Sequence, residues 1–141
     1  MFIPDTNVVS ELRKAKAGKA DGNVVAWAEL QDPSTLFLSA ITLLELEMGI
    51  RQMEWRDSMQ GAILRAWMVD RVLPAFEGRV LPVDGPVALC CAALHVPDPR
   101  SDRDALIAAT GITHAMPIVT RNVTDFEPTG VPTLNPWEPM P

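Results

Sequence analysis

The sequence predicts an α/β fold, an α/β/α sandwich around a mostly parallel central sheet. Three observations predict it. Short apolar runs alternate with stretches of helical periodicity along the whole chain, the pattern of strands joined by crossover helices. Aspartate or proline marks several of the boundaries, as helix caps and breakers should. Apolar residues make up 48% of 141 positions, enough to cover both faces of such a sheet.

The elements follow in order. Met1 to Pro4 is an apolar run read as the first strand, with Asp5 just past its carboxyl end. Asn7 to Leu12 reads as a short helix that runs into Arg13, Lys14, Lys16 and Lys19, the densest basic cluster of the chain. Asp21 is placed to cap a helix carrying Val24, Val25, Trp27, Ala28 and Leu30, and Asp32-Pro33 ends it. Leu36 to Ser39 is a second buried strand. A helix from about Thr42 to Met53 follows, with Leu43, Leu46 and Ile50 on one face. Ser58 to Phe76 reads as one longer helix, and Val80 to Val83 as a third strand. Pro86 opens a helix through Leu94, since proline suits the first helical turn. Asp104 to about His114 is helical, Pro117 to Thr120 is a fourth strand, and Val131 to Leu134 a short fifth. With no repeat and no linker, residues 1–141 read as one domain. Only the tail from about 128 to 141 changes character, its prolines favouring extended backbone with few donors.

The bulk numbers exclude several classes. No apolar run reaches the roughly 18 residues of a membrane helix, and the start MFIPDTN lacks the basic and apolar regions of a secretory signal. The only two cysteines, Cys90 and Cys91, are adjacent in an apolar segment and read as reduced core thiols. A cytoplasmic protein is expected. A formal net charge of −6 argues against a nucleic-acid scaffold held by a basic face. It does not exclude a metal-dependent nuclease, whose carboxylates carry negative charge in order to hold cations.

Ligand sites in open α/β sheets form beyond the carboxyl ends of the strands. Asp5 follows the first strand, Glu45 lies in the first turn of the helix after the second, and Asp125 lies in the loop after the fourth. Asp104 starts a helix that can bring it to the same edge. Converging carboxylates of this kind suit the hard cations Mg²⁺ or Mn²⁺, which take oxygen ligands and can clamp a phosphodiester. Duller readings stand beside this one. Thr42 to Glu45 and Ser101 to Asp104 both fit the capping box, Asp5 fits an Asx turn and Asp125 a plain loop acid. Zinc spacing, a glycine-rich phosphate loop and a histidine partner for Ser10 or Ser39 are all missing; the two histidines, His95 and His114, read as surface or helix-end residues.

Four segments in order resemble the PIN-domain family, in particular its VapC and FitB-like toxins of type II toxin–antitoxin systems. They are Asp5-Thr6-Asn7 with Ser10-Glu11-Leu12, Ser39 to Leu46 with Gly49-Ile50, Asp104 to Ala109, and Thr120 to Phe126. The resemblance spans residues 5–126. It implies a PIN-like fold and a Mg²⁺-dependent endoribonuclease, with Mn²⁺ as a possible substitute and tRNA or rRNA as targets by family analogy. Asp5, Glu45, Asp104 and Asp125 would form the metal-binding, catalytic pocket. Thr6 and Thr120 would fix carboxylate rotamers, Asn122 would join the pocket directly or through water, and Asn7 would stabilise the turn. Arg13, Lys14, Lys16 and Lys19 would hold RNA phosphates, or else form a solvated helix end. Asp102 fits a helix cap or an extra outer acid. The resemblance also implies a homodimer and a VapB-like antitoxin that occludes the pocket in a larger heteromeric complex. Leu44, Met48, Met53, Trp55 and Met59 would serve that groove, the dimer or the core. The competing functions are a catalytically inactive PIN-like module that binds RNA or protein, and a Mg²⁺-dependent phosphatase; the latter is weakened by Asn7 two residues after Asp5 and by the lack of any lysine after Lys19.

Overall fold

The structure is a computed structural model that describes residues 1–140, so Pro141 of the proline-rich tail lies outside it. Five short strands, β1 (Ile3–Pro4), β2 (Leu38–Ser39), β3 (Val80–Leu81), β4 (Ile118–Val119) and β5 (Thr133–Leu134), all pair in parallel. The ladders β1-β4-β5 and β2-β3 are joined by a parallel bridge between Phe2 and Leu36, giving the order β3-β2-β1-β4-β5. Neighbouring side chains of a strand point to opposite faces, and the packing follows. Ile3 and Ile118 join Ile41, Ile107, Ala108 and Phe126 on one face, while Val119 joins Val8, Val24 and Trp27 on the other. Helices α1 (Thr6–Arg13) and α2 (Gly22–Glu29) therefore cover one side, and α3 (Ala40–Arg56) and α7 (Asp102–His114) the other. The expected α/β/α architecture is present.

Aspartates cap as the sequence indicates. Asp21 accepts from the Asn23 and Val24 amides, and Asp84 accepts from Val87 at the start of α6 (Gly85–Leu94). Cys91 is buried and unpaired, and burial pushes its thiol pKa up, which keeps it inert.

The structure corrects three boundaries. Helix α3 begins at Ala40, because the Ser39 hydroxyl accepts from the Ile41 amide at 3.1 Å and caps it. Thr42 is thus a buried residue inside the helix, and Glu45 lies in the second turn. The long helix from Ser58 is interrupted: α4 (Ser58–Trp67) passes through a π-helical turn at Met68–Val72 into a short α5 (Leu73–Ala75). Pro74 has no N–H for the carbonyl four residues back and its ring crowds that carbonyl, so the ladder widens just before it. Asp125 is not in a loop but in a one-turn helix, α8 (Val123–Phe126).

Helices α3 and α4 cross closely at Gly61. A Cβ there would meet the Glu54 Cα at 2.5 Å and the Glu54 nitrogen at 2.8 Å. Arg65 clamps the same pair of helices, bidentate to Glu47 at 2.6 and 2.9 Å and reaching Glu54 at 2.9 Å. Gly61→Ala is expected to cost about 3 kcal/mol of overpacking against about 1 kcal/mol of gained helix propensity. A net loss of about 2 kcal/mol, read as a lower urea midpoint at unchanged slope, is the predicted result.

Candidate active site

The strand order reverses at β1, which has β2 on one side and β4 on the other. Such sheets bind ligands beyond the carboxyl ends of the strands at this switch point, here β1 and β4. The ladder fixes the backbone there. The Asp5 amide donates to the Val119 carbonyl at 2.8 Å and the Thr120 amide to the Leu134 carbonyl at 2.9 Å.

Asp5 is the N-cap of α1, and only 7% of it is exposed. Its Oδ1 accepts from the Thr6 amide at 2.8 Å. Its Oδ2 accepts from the buried Thr120 hydroxyl at 2.8 Å, with Asn7 Nδ2 at 3.5 Å. The Asx-turn reading is thus half right, since Asp5 caps a helix with one oxygen while the other is held across the sheet. Burial pushes the Asp5 carboxyl up from its ordinary value; the Thr120 and Thr6 hydrogen bonds oppose this, and the charges of Glu45 and Asp104 add to it.

The other acids arrive from separate elements. Glu45 Oε1 accepts from the Thr6 hydroxyl at 2.7 Å, and Glu45 Oε2 lies 3.5 Å from Arg103 Nη1. Thr6 Oγ1 also sits 3.3 Å from Thr42 Oγ1. Asp104 is the third residue of α7, whose N-cap Ser101 makes no side-chain cap bond. Among the described residues the Asp104 carboxylate makes no hydrogen bond, so neither capping box expected as an alternative is formed. Burial pushes the Asp104 carboxyl up, and the charges of Asp125 and Glu45 push it further. Charge thus couples Asp5 to Glu45 and Asp104, and Asp104 in turn to Glu45 and Asp125.

Asn7 does more than hold a turn. Its Nδ2 donates to Thr120 Oγ1 at 3.3 Å, and its Oδ1 accepts from the Arg121 amide at 3.3 Å. Thr120 Oγ1 also accepts from the Asn122 amide at 3.1 Å, so Asn122 meets the site through its backbone. Asp102 lies 3.5 Å from His95 Nε2, with its side chain exposed. The basic cluster divides: Lys14 pairs with Glu11 at 3.0 Å, Arg13 and Lys16 line a groove, and Lys19 is exposed. Thr42 and Arg103 carry no sequence signal beyond their nearness to Glu45 and Asp104.

Oxygen donors of this kind suit a hard divalent cation. Among the described residues no three acids close into a ready cage, but Mg²⁺ keeps several waters and takes one or two carboxylates directly. A buried aspartate under repulsion from two others, with no cation paired to it among the described residues, has the charge such an ion would relieve. The residues fit the group.

The chain is similar to known proteins over nearly its whole length. The PIN domain family model matches residues 2–128. The VapC ribonuclease Y4jK of Sinorhizobium fredii is 39% identical over 144 residues, covering 99% of each chain. Toxin FitB of Neisseria gonorrhoeae is 32% identical over 142 residues, covering 97% of this chain and 99% of that one. The crystal structure of FitAcB from Neisseria gonorrhoeae superposes with a TM-score of 0.88 at 31% identity, over 98% of this chain and 99% of that one.

Proposed function

The chain belongs to the PIN domain family, among its VapC and FitB toxins, and from that premise we propose that it is a Mg²⁺-dependent endoribonuclease whose pocket is Asp5, Glu45, Asp104 and Asp125. The observation that carries the proposal is the buried Asp5 carboxylate, fixed across the sheet by Thr120 and repelled by two further acids. These four residues would hold Mg²⁺, with Mn²⁺ as a substitute. A bound cation supplies Lewis acidity for the scissile phosphate and the attacking water. The chain's own residues set the geometry. Thr120 and Thr6 fix the rotamers of Asp5 and Glu45, and hydrogen bonds of that kind set carboxylate direction and basicity. Arg103 holds the second oxygen of Glu45. RNA, structured or single-stranded, with tRNA or rRNA as the targets, is the substrate class assigned, and the cytoplasm the compartment. No helix among the described residues is long and apolar enough to cross a membrane.

The toxin role brings a partner. A groove of about 570 Å³ between α1, α2 and α4–α5 is floored by Leu12, Trp27, Ile63, Trp67 and Phe76, with Arg13, Lys16 and Arg71 also lining it. Pro4, the residue before Asp5, also lines it. We assign it to an antitoxin segment that can run from the groove to the acidic pocket. The exposed apolar side chains Leu44, Trp55 and Met59 are assigned to contacts with a second copy or with the antitoxin.

Purified, antitoxin-free protein incubated with total RNA tests the activity. Discrete fragments that appear with Mg²⁺ or Mn²⁺ and disappear with EDTA are expected. Intact tRNA, rRNA and mRNA after exposure to well-folded protein would overturn the nuclease reading in favour of a binding-only module.

A further inference from the structure

An acidic pocket repels a polyanion everywhere except at its cations, so RNA needs cationic holds beside the pocket. The cluster at residues 13–19 provides few at that edge, since Lys14 is tied to Glu11 and two of its other cations line the groove. Arg103 is already paired with Glu45. Arg121 is one residue beyond Thr120, whose hydroxyl donates to Asp5. Its amide is held by Asn7 Oδ1 at 3.3 Å, the same Asn7 whose Nδ2 contacts Thr120 and Asp5. The side chain is exposed and makes no salt bridge within 4 Å among the described residues; its charge is felt by Glu11, as is that of Lys14.

Its guanidinium carbon lies 5.2 Å from the centroid of the Trp137 ring. Trp137 comes from the proline-rich tail. Its carbonyl accepts from Asn23 Nδ2 at 2.8 Å, its amide donates to Asn135 Oδ1 at 3.0 Å, and it packs half-buried against the Val8, Val24, Trp27 and Val119 cluster. The tail is therefore anchored so that the arginine head lies over an indole. A planar guanidinium presents its edge to phosphate oxygens and its face to an unstacked base.

We propose that Arg121, oriented by Trp137, is an RNA-binding residue that grips the strand beside the acidic pocket. This rests on the nuclease reading for its ligand class, but its test needs no cleavage. A fluorescein-labelled single-stranded oligoribonucleotide of mixed sequence is bound in EDTA and followed by anisotropy across a salt series. Arg121→Ala is expected to weaken binding about tenfold and to reduce the slope of log K against log salt by about 0.7, the value for one phosphate contact on a single strand. Arg121→Lys should restore the slope and recover only part of the affinity, because the charge returns without the planar stack. A merely structural role at the tail would lower the melting temperature and leave the slope unchanged. Arg121→Ala binding with wild-type affinity and slope overturns the proposal, and so does a wild-type protein that binds no RNA. Arg121-dependent binding by a protein that never cuts RNA with Mg²⁺ would overturn the nuclease reading alone.

Discussion

Asp5→Asn is expected to lower RNA cleavage by about 10³-fold or more, equivalent to about 4 kcal/mol of lost transition-state stabilisation, in a protein that is still folded and harder to melt without metal. Asparagine keeps the Oδ1 that accepts from the Thr6 amide, so α1 remains capped. Its Nδ2 cannot accept from the Thr120 hydroxyl, which already accepts from Asn7 and Asn122, so that one bond is lost, as it is weakened when the wild-type carboxyl is protonated. What disappears is a charge that burial disfavours and that Glu45 and Asp104 repel. The sign of the stability change follows from that raised pKa. Between the ordinary aspartate value and the raised folded value, the folded state binds more protons than the unfolded state. Wild-type stability contributed by this group therefore falls as pH rises through that window. In EDTA the variant should melt close to wild type below the ordinary aspartate value, move above it through the window, and stay above it at neutral pH. Thermal melts at a series of pH values check this. A variant less stable than wild type at pH 7 would show that Asp5 serves folding before chemistry.

Asp104→Asn carries the second large effect, and it separates metal binding from helix capping. A residue that only caps α7 should lose about 1 kcal/mol of stability on replacement and keep its activity. The geometry points the other way. Asp104 makes no cap bond, and its carboxyl is pushed up first by burial and then by Asp125 and Glu45. Cleavage by the variant is expected to fall by about 10²-fold or more, with the metal-free melting temperature at pH 7 unchanged or raised. Retained cleavage with a lowered melting temperature would assign Asp104 to the helix end and leave three acids in the pocket.

Much of the candidate site is legible in the sequence because Asp5 directly follows an apolar run that reads as a buried strand, and Glu45 and Asp104 lie in the early turns of periodic helices. Asp5 after Met1 to Pro4 is placed by the rule for strand ends, while the role of Thr120 comes only from the family resemblance. The ordered segments from Asp5 to Phe126 then supply the family. What the sequence hides is set by competition between similar local signals or by long-range contact. Ser39 and Thr42 are both hydroxyl residues that can cap a helix, and the choice falls to Ser39, which moves Glu45 into the second turn. The periodicity of Met68, Val72 and Leu73 reads straight through Pro74, and only the three-dimensional ladder reveals the π-helical turn. Arg103 on Glu45 and Arg121 over Trp137 join distant parts of the chain, and the latter depends on β5 pairing with β4, which no local pattern near Trp137 announces.

Mn²⁺ binding, followed by the loss of the free-ion electron paramagnetic resonance signal on titration with protein, tests the four-acid pocket most directly. Wild-type protein is expected to take up Mn²⁺, with Mg²⁺ competing, and Asp5→Asn and Asp104→Asn are each expected to weaken uptake by about tenfold or more. Equal uptake by wild type and both variants, or none by folded wild type, would contradict a metal-binding role for these carboxylates.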